Sequence, residues 1–223
     1  LTGGVPVTEI LLMGKGTHVV GLVSLDNDAP VLAVATAQGK IKRVNPDIPD
    51  KGAIDVIKLT DGDRVVGAMP AGDDDQIVLV TSNAQLLRFS ASAVRPQGRG
   101  GQGVAGIRLA DGAQVIAFGV VPDNDLAAHS VVTIAGSADA LPGTVPGSAK
   151  VTPLDRFPAK GRATGGVRAH RFLRGEDVLQ MAWVGESPAR ATGQGGKPLA
   201  LPEVDERRDG SGEQLKTVVR AIG

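Results

Sequence analysis

Short runs of apolar residues, many of them β-branched, recur along the chain and are separated by Gly, Asn, Asp and Ser. No apolar pattern with the 3.6-residue spacing of an amphipathic helix is sustained. This combination is typical of all-β proteins, in which strands are short and turns are frequent. The sequence therefore predicts a succession of β-hairpins.

Two kinds of predicted hairpin alternate. Strands of the first kind are expected at residues 5–12 with 18–23, 54–59 with 65–69, 104–109 with 115–120, and 167–172 with 178–184. Strands of the second kind are expected at 31–36 with 40–44, 77–81 with 85–89, 131–135 with 150–152, and 189–192 with 197–200. Strict alternation of the two kinds indicates an internal repeat.

The length of this repeat favours a β-propeller. Equivalent positions at Val31, Ile77, Val131 and Ala189 are 46, 54 and 58 residues apart. A repeat near 50 residues that holds two hairpins is typical of one four-stranded propeller blade. We therefore predict a pinwheel of about four blades. A linear β-solenoid, or a sandwich of unrelated hairpins, is the alternative.

The predicted domain spans residues 1–223, and its ring can close by pairing of 5–23 with 189–200. Such closure would remove the exposed sheet edges of an open array. Residues 203–214 are rich in charge and lack an apolar pattern, so we interpret them as a loop or a frayed tail. Residues 215–222 are expected to form one more strand or a short helix.

Composition excludes several classes of function. The 223 residues contain no cysteine and no tyrosine, and only 2% are aromatic. Disulfides, thiolate metal sites and tyrosine-based DNA strand cleavage are therefore excluded for this chain. No apolar run approaches the roughly 18 residues of a membrane-spanning helix. The first residue is Leu1, which suggests a domain of a larger protein, and the lack of cysteine fits a cytoplasmic location.

No motif points to a catalytic, metal or cofactor site. The segment Gly98-Arg-Gly-Gly-Gln-Gly103 matches G-x-G-x-x-G, but a strand-like segment follows it where a dinucleotide-binding fold needs a helix. Asp73-Asp74-Asp75 predicts a polar turn rather than a cation site. The histidines are isolated in sequence and form no metal-binding pattern: His18, His129 and His170. We expect no catalytic residue, no metal and no cofactor.

Basic residues are concentrated in two segments although the net charge is zero. No acidic residue occurs between residues 76 and 110, and none occurs between Asp155 and Glu176. The second segment contains Arg156, Lys160, Arg162, Arg168, Arg171 and Arg174. Arginine forks suit phosphate oxygens, and glycines let a backbone approach a partner closely. Because aromatic platforms for splayed bases are scarce, duplex DNA is a better candidate than single strands or RNA. A solvated basic face is the alternative.

Three segments resemble the C-terminal β-pinwheel domain of the A subunits of bacterial type IIA topoisomerases, DNA gyrase and topoisomerase IV. The hairpin at 77–89 is similar to that family's hairpin with a basic residue after the turn. The segment 94–109, which contains Arg95-Pro-Gln-Gly-Arg-Gly-Gly-Gln-Gly103, resembles its inter-blade loop and following strand, and 157–167 resembles a second copy. Five or six blades are usual in this family, so four repeats would be short.

The resemblance implies a non-catalytic domain that binds and bends duplex DNA without reading sequence, and presents it to a cleavage core elsewhere in the subunit. It implies two partners, namely the remainder of the A subunit itself and the ATPase B subunit, together with a nucleoid-associated location. The A subunits of gyrase carry a box of the form Q-[RK]-R-G-G-[KR]-G. Here Gly98 and Gln102 replace its two flanking basic positions, which favours a topoisomerase IV-like over a gyrase-like protein.

The candidate DNA contacts lie in the predicted loops and the strands beside them. They are Lys42, Arg43, Arg88, Arg95, Gln97, Arg99, Gly100, Gly101, Gln102, Gly103, Lys160, Arg162, Arg168 and Arg171. Contacts of this kind would position DNA without reading its bases. The alternative function is a propeller that binds a protein partner and has a solubilising basic rim.

Overall fold

The computed structural model describes residues 4–11, 13–14, 16–24, 26, 29–45, 53–141 and 143–223. One short helix, α1, spans Val7–Ile10. The strands are β1 Leu32–Thr36, β2 Lys40–Val44, β3 Val65–Pro70, β4 Asp75–Thr81, β5 Gln85–Ser90, β6 Pro96–Gln97, β7 Val104–Ala105, β8 Val115–Pro122, β9 His129–Gly136, β10 Ser148–Pro153, β11 Val167–Arg168, β12 Val178–Glu186, β13 Ala191–Thr192, β14 Pro198–Leu199, β15 Glu213–Gln214 and β16 Ala221–Ile222. Short 3₁₀ turns lie at Ala91–Ala93, Asp123–Ala128, Leu154–Arg156 and Gln194–Gly196. The all-β prediction is confirmed.

The strands form four sheets that follow one another along the chain. Sheet 1 has the order β3-β1-β2, with β6 and β7 both paired to the outer side of β2. Sheet 2 is β8-β4-β5-β11, sheet 3 is β12-β9-β10-β15, and sheet 4 is β14-β13-β16. All four hairpins of the second predicted kind are present, as β1–β2, β4–β5, β9–β10 and β13–β14.

The third and fourth predicted hairpins of the first kind are wrong, because their two arms belong to different sheets. In the third copy, β7 pairs with β2 in sheet 1, whereas β8 pairs with β4 in sheet 2. In the fourth copy, β11 pairs with β5 and β12 with β9. Each of these two apparent hairpins is therefore a crossover that gives one strand to the preceding sheet. A turn sequence by itself cannot distinguish a hairpin from a crossover between two sheets.

The N-terminal predictions differ from the structure. Among the described residues of 5–23, α1 is the only regular element, and Val5, Ile10 and Leu22 are exposed. Residues 189–200 pair internally and with β16, so closure through 5–23 does not occur in the described part of the chain. The predicted strand 54–59 also has no ladder partner among those residues. Without a neighbouring edge, its alternating apolar side chains cannot complete a sheet.

The hydrophobic core lies between consecutive sheets. Along β4, Ile77 and Leu79 pack toward sheet 1, whereas Val78 and Val80 pack toward sheet 3. This alternation follows the two-residue period of a strand and buries both faces of the sheet. A third cluster joins sheets 3 and 4, and the partly buried Trp183 packs against it.

Of the two alternatives for 203–214, the structure shows a loop rather than a frayed tail, and this loop forms the outer edge of sheet 3. Val204 bridges Val151 in parallel, and β15 pairs antiparallel with β10. Within 215–222 the structure places a strand, β16, rather than a helix. In the described residues, no helix is long and apolar enough to cross a membrane.

Candidate nucleic-acid interface

Three loops with the same construction run along the outer strands of sheets 1, 2 and 3. We call residues 96–103 loop 1, residues 159–166 loop 2 and residues 204–212 loop 3. The first residue of each loop bridges the outer strand in parallel, and the residue after the loop pairs antiparallel with the same strand. The parallel bridges are Pro96 with Arg43 on β2, Ala159 with Arg88 on β5 and Val204 with Val151 on β10. The antiparallel pairs are Val104 with Ile41, Val167 with Leu86 and Glu213 with Ala149. The likeness predicted between 94–109 and 157–167 is thus a structural repeat.

These loops lie on the outer rim of the domain. The strands at the opposite edges of the three sheets are β3, β8 and β12, and β8 contacts both of the others. Those strands therefore surround the middle of the arrangement. The loops occupy the far edge of each sheet, where a long polymer can reach them.

Glycine ends the first two loops for a steric reason. Gly103 has a φ of +77°, and a Cβ there would lie 2.6 Å from the carbonyl oxygen of Ile41. Gly166 has a φ of +76°, and a Cβ there would lie 2.5 Å from the carbonyl oxygen of Leu86. Only glycine adopts this backbone conformation at such close approach without strain. By contrast, Gly98 and Gly100 face open space.

Lys42 is not a DNA contact, because its side chain is fully buried beneath loop 1. Its Nζ donates to the carbonyl oxygens of Arg99 at 2.8 Å and Gly101 at 2.9 Å. Burial lowers the pKa of Lys42. The sequence pattern predicted that Lys42 lies on a strand. It did not indicate that loop 1 would cover its side chain.

Lys150 has the same relation to loop 3. It is buried, and its Nζ donates to the carbonyl oxygens of Arg207 and Arg208 and to Thr152 Oγ1. Burial lowers the pKa of Lys150 to about 8, against the opposing influence of nearby Asp205 and Asp209. In sheet 2 the equivalent position is the apolar Leu87.

Arg43 and Arg88 are also wrong as DNA contacts. Arg43 is 3% exposed, and its guanidinium donates to the carbonyl oxygens of Ala71, Ala91 and Val94. It also pairs with Asp73 at 2.6 Å. Arg43 therefore fastens sheet 1 to the start of the segment that leads into loop 1.

Arg88 occupies the equivalent position in sheet 2 and is 8% exposed. Its Nε donates to the carbonyl oxygen of Phe157, and an Nη donates to Gln76 Oε1. Burial lowers the pKa of Arg88, while Asp123 and Asp155 act in the opposite direction. Both arginines are structural clamps between neighbouring blades.

The other predicted side chains with charge lie at the surface. Arg95, Arg99, Lys160, Arg168 and Arg171 are exposed, whereas Arg162 is partly buried. Arg162 Nε and Nη donate to the carbonyl oxygens of Ala93 and Ala105, which joins loop 2 to the two segments that flank loop 1. Arg162 is thus partly committed to a structural role. Lys160 Nζ contacts the carbonyl oxygen of Gly166 at 3.3 Å and is otherwise open to solvent.

The uncharged residues of the predicted set shape loop 1. Gln97 is half-buried, and its carbonyl oxygen accepts a bond from the backbone N–H of Asn45. Gly101 is also half-buried, whereas Gly100 and Gln102 are exposed. The exposed part of loop 1 therefore presents Arg99 with few side chains around it.

A second row of basic residues was missed by sequence reasoning. Lys58, Arg108 and Arg171 each donate a backbone N–H to the next loop, at the carbonyl oxygens of Gly101, Thr164 and Gly210 respectively. All three side chains are exposed. Of these, only Arg171 was in the predicted set. The signal was available in the sequence, where Lys-Leu-Thr-Asp-Gly62 aligns with Arg-Leu-Ala-Asp-Gly112 and Arg-Phe-Leu-Arg-Gly175.

Each blade junction therefore brings together a loop arginine and a basic residue from the preceding crossover. Lys58 accompanies Arg99 at junction 1, and Arg108 accompanies Arg162 at junction 2. In the part of the chain that the structure describes, no ion pair involves any of these four residues. Lys58, Arg99 and Arg108 face solvent, whereas the guanidinium of Arg162 is also bound to two carbonyl oxygens.

Junction 3 differs in charge. Loop 3 contains Asp205, Glu206 and Asp209 beside two arginines. Asp205 accepts bonds from Arg207 at 2.9 and 3.1 Å, and these hydrogen bonds lower the pKa of the Asp205 carboxyl. Glu206 pairs with Arg156.

The acidic run at residues 73–75 belongs to a turn. Asp73-Asp74-Asp75 forms the predicted polar turn, in which Asp75 Oδ2 accepts the backbone N–H of Gly72 at 2.7 Å. Within the described ranges, no group of three or more His, Cys, Asp or Glu side chains is arranged to hold a metal ion.

Comparison with known families accounts for this repeated architecture. The family described as "DNA gyrase C-terminal domain, beta-propeller" matches residues 53–71, 75–122 and 147–182, which include loops 1 and 2. The chain belongs to this family.

Relatives of this gyrase-type domain include whole A subunits of DNA gyrase. The one from Mycolicibacterium smegmatis is 35% identical over 153 residues, which cover 66% of the chain and 16% of that protein. The one from Deinococcus deserti is 35% identical over 174 residues, or 69% of the chain and 20% of that protein. The chain thus matches a small part of these relatives.

Solved structures share the fold. The C-terminal domain of a DNA topoisomerase IV superimposes with a TM-score of 0.79 and 17% identity, covering 99% of the chain and 70% of that structure. A DNA gyrase A C-terminal domain gives 0.74 and 20%, covering 97% and 73%. The β-pinwheel predicted from the sequence is confirmed.

Proposed function

We propose that the chain is a non-catalytic domain of a type II topoisomerase A subunit that binds and bends duplex DNA along its outer rim. The observation that carries this proposal is the repeated placement, at junctions 1 and 2, of cations that form no ion pair in the described part of the chain. Lys58, Arg99, Arg108 and Arg162 recur in pairs at equivalent structural positions. A duplex presents phosphates at a regular spacing, so repeated cations on a curved edge suit it.

We call the row formed by Lys58, Arg99, Arg108 and Arg162 the DNA track. Bending follows from the curvature of the rim on which this track lies. A smooth bend of a 20–30 base-pair site costs on the order of 1–6 kcal/mol, so several phosphate contacts must act together. The clamps at Arg43 and Arg88 support such cooperation, because they fix one blade against the next. Backbone contacts of this kind carry no sequence information, which supports binding without sequence preference.

Within the larger protein, we infer that the domain holds DNA for a cleavage core elsewhere in the polypeptide. The curated relatives, which extend well beyond the matched region, are named as A subunits of DNA gyrase. The expected partners are the remainder of the A subunit itself and an ATPase B subunit, in the nucleoid of a bacterial cytoplasm. We propose no cofactor for this domain.

We infer a topoisomerase IV-like rather than a gyrase-like mode of DNA handling. Loop 1 has neutral Gly98 and Gln102 at the two box positions where gyrase subunits carry basic residues, and both are exposed. With Arg99 as the one charge of the box, strong wrapping is not favoured. The names of the curated relatives favour gyrase instead, and a plasmid relaxation assay for constrained positive supercoils distinguishes the two.

Salt-dependent binding to a long duplex tests the DNA-binding proposal. Each phosphate contact contributes about 0.9 to the slope of log K against log salt. The double variant R99A/R108A removes two exposed cations of the track and should lower the slope by about 2. The matched control is R64A/R174A, which removes two exposed arginines from the turns that lead to β3 and β12. Equal slopes for the two double variants would contradict a rim-bound duplex.

A protein-binding propeller is the second candidate function. The net charge of zero favours it modestly, since a neutral domain is not attracted to DNA as a whole. Under this alternative, the wild-type chain would show no shift of long duplex DNA in a gel at low salt.

A further inference from the structure

Loop 3 has the backbone construction of loops 1 and 2 but the opposite charge. Where loop 1 is preceded by Arg95, loop 3 is preceded by Glu203 at the equivalent position. Loop 1 contains one arginine and no acid, and loop 2 contains Lys160 and Arg162 and no acid. Loop 3 contains two arginines and three acids, so its formal charge is negative.

Two acids of loop 3 pair with two arginines at junction 3. Asp205 binds Arg207 through two hydrogen bonds, and Glu206 pairs with Arg156 from the preceding 3₁₀ turn. Lys150, the third cation beneath the loop, is buried and bound to backbone oxygens. Arg171 lies beside this loop and donates its N–H to the carbonyl oxygen of Gly210, as Arg108 does to Thr164 in loop 2.

We propose that loop 3 is a counterpart of loops 1 and 2 whose positive charges are masked by acidic side chains. The DNA track on the rim therefore ends at this loop. The proposal rests on the proposed function, because it assigns the boundary of the same surface. A phosphate that approached junction 3 would meet Glu206 and Asp209, and like charges repel. The duplex therefore contacts junctions 1 and 2 and leaves the rim before junction 3.

Two of the three carboxylates can be neutralised without disturbing the loop backbone. Asp205 accepts the backbone N–H of Arg207 and is left in place. Glu206 accepts only from Arg156 among the described contacts, and no side-chain bond of Asp209 is present there. The variant E206Q/D209N therefore releases Arg156 from Glu206, leaves its contact with Asp155 at 3.6 Å, and removes two carboxylate charges while it keeps the turn.

The experiment compares four forms of the chain on one duplex of about 150 base pairs, long enough to follow the rim over one persistence length. They are the wild type, E206Q/D209N, R99A/R108A and the control D74N/D139N. The control also removes two negative charges, but from Asp74 and Asp139, which are exposed and lie outside loop 3. Salt slopes, and hydroxyl-radical footprints at low salt, are measured for all four, and thermal melting checks that each is folded.

We expect E206Q/D209N to steepen the salt slope by about 1–2, to bind at least about threefold more tightly at about 150 mM salt, and to lengthen the footprint. D74N/D139N should leave the slope and the footprint unchanged. If E206Q/D209N behaves like the wild type while R99A/R108A lowers the slope, loop 3 is not a masked part of the track. If R99A/R108A also leaves binding unchanged, the proposed function itself is wrong. An equal gain from D74N/D139N would assign the effect to net charge and overturn the masking.

Discussion

The Nζ of buried Lys42 lies 2.8 Å from the carbonyl oxygen of Arg99, so a cation inside the domain holds the backbone that displays a cation outside it. Lys42 also binds the carbonyl oxygen of Gly101, and together the two bonds span the tip of loop 1. The two residues share a charge but not a role. One positions the loop, and the other faces solvent.

Replacement of Lys42 should therefore weaken DNA binding although Lys42 does not reach DNA. We expect Lys42→Met to leave the Arg99 carbonyl without its partner and to cost about 1–3 kcal/mol of unfolding free energy. Amide hydrogen exchange should rise in residues 98–102, and duplex affinity should fall less than in R99A/R108A. Leu87→Met, at the equivalent position of sheet 2, is the control and should change neither exchange in loop 1 nor affinity. Unaltered exchange in loop 1 of Lys42→Met would contradict the positioning role.

Gly103 should be intolerant of a side chain. Gly103→Ala puts a Cβ at 2.6 Å from the carbonyl oxygen of Ile41 on a backbone with positive φ. Strain of this kind costs on the order of 1–3 kcal/mol. Gly98→Ala is the matched control in the same loop, because a Cβ there meets nothing within 4 Å. Urea denaturation compares the two, and equal stability would show that the turn into β7 does not need glycine.

Arg43 should matter for stability and not for the salt dependence of DNA binding. Arg43→Ala leaves the carbonyl oxygens of Ala71 and Val94 without a donor, and each buried acceptor left unsatisfied costs about 1–3 kcal/mol. The expected result is a large drop in melting temperature with an unchanged salt slope for the folded protein. Arg95→Ala, at an exposed site, should do the reverse. A reduced slope for Arg43→Ala would return this residue to the DNA surface.

Acid should destabilise the domain through His170. Burial lowers the pKa of His170 to about 4 from 6.5, aided by Lys150 and opposed by Glu176. Its Nε2 accepts the backbone N–H of Gly212, so the ring proton is on Nδ1, which donates to Thr133 Oγ1. Protonation of Nε2 would break the bond to loop 3.

The sign of this effect follows from the two pKa values. Between about pH 6.5 and 4 the unfolded chain binds a proton at this residue that the folded domain does not bind. The free energy of unfolding should therefore fall as the pH is lowered through that window. Urea denaturation at about pH 7 and about pH 5 measures the fall. His170→Gln should lose this part of the pH dependence, and His18→Gln, at an exposed site, should retain it. Identical pH profiles for the two variants would exclude His170 as the cause.

Much of the fold was predictable because a strand's two-residue period and its turn residues are local signals. The hairpins β1–β2 and β4–β5 fall within one or two residues of their predicted bounds. The exchange of β7 and β11 into the preceding sheet was not predictable, since a turn at Asp111-Gly112 fits both a hairpin and a crossover. The same limit applies to Lys42, Arg43 and Arg88. Their charge is visible in the sequence, whereas the loops and turns that cover them come from residues about 50 to 70 positions away.

The sequence predicted the chemistry of the site but not all of its residues. Arg99 and Arg171 are exposed as the basic segments indicated, and the missing partners Lys58 and Arg108 lie at the same structural position as Arg171. Alignment of the crossovers, rather than of the hairpins, would have found them. Loop 3 escaped notice because Val204 does not resemble Pro96 or Ala159, and only the bridge to β10 shows that the positions are equivalent.

Site-specific crosslinking tests most directly whether a duplex lies on the outer rim. The chain has no cysteine, so one photoreactive group can be attached at a single introduced thiol without background. Gln102→Cys places the group on exposed loop 1, and Asp74→Cys places it on the turn before β4. Crosslinking to duplex DNA at low salt should be strong from position 102, weak from position 74, and abolished by unlabelled duplex. Equal crosslinking from both positions, or crosslinking from position 74 alone, would contradict the rim as the DNA-binding surface.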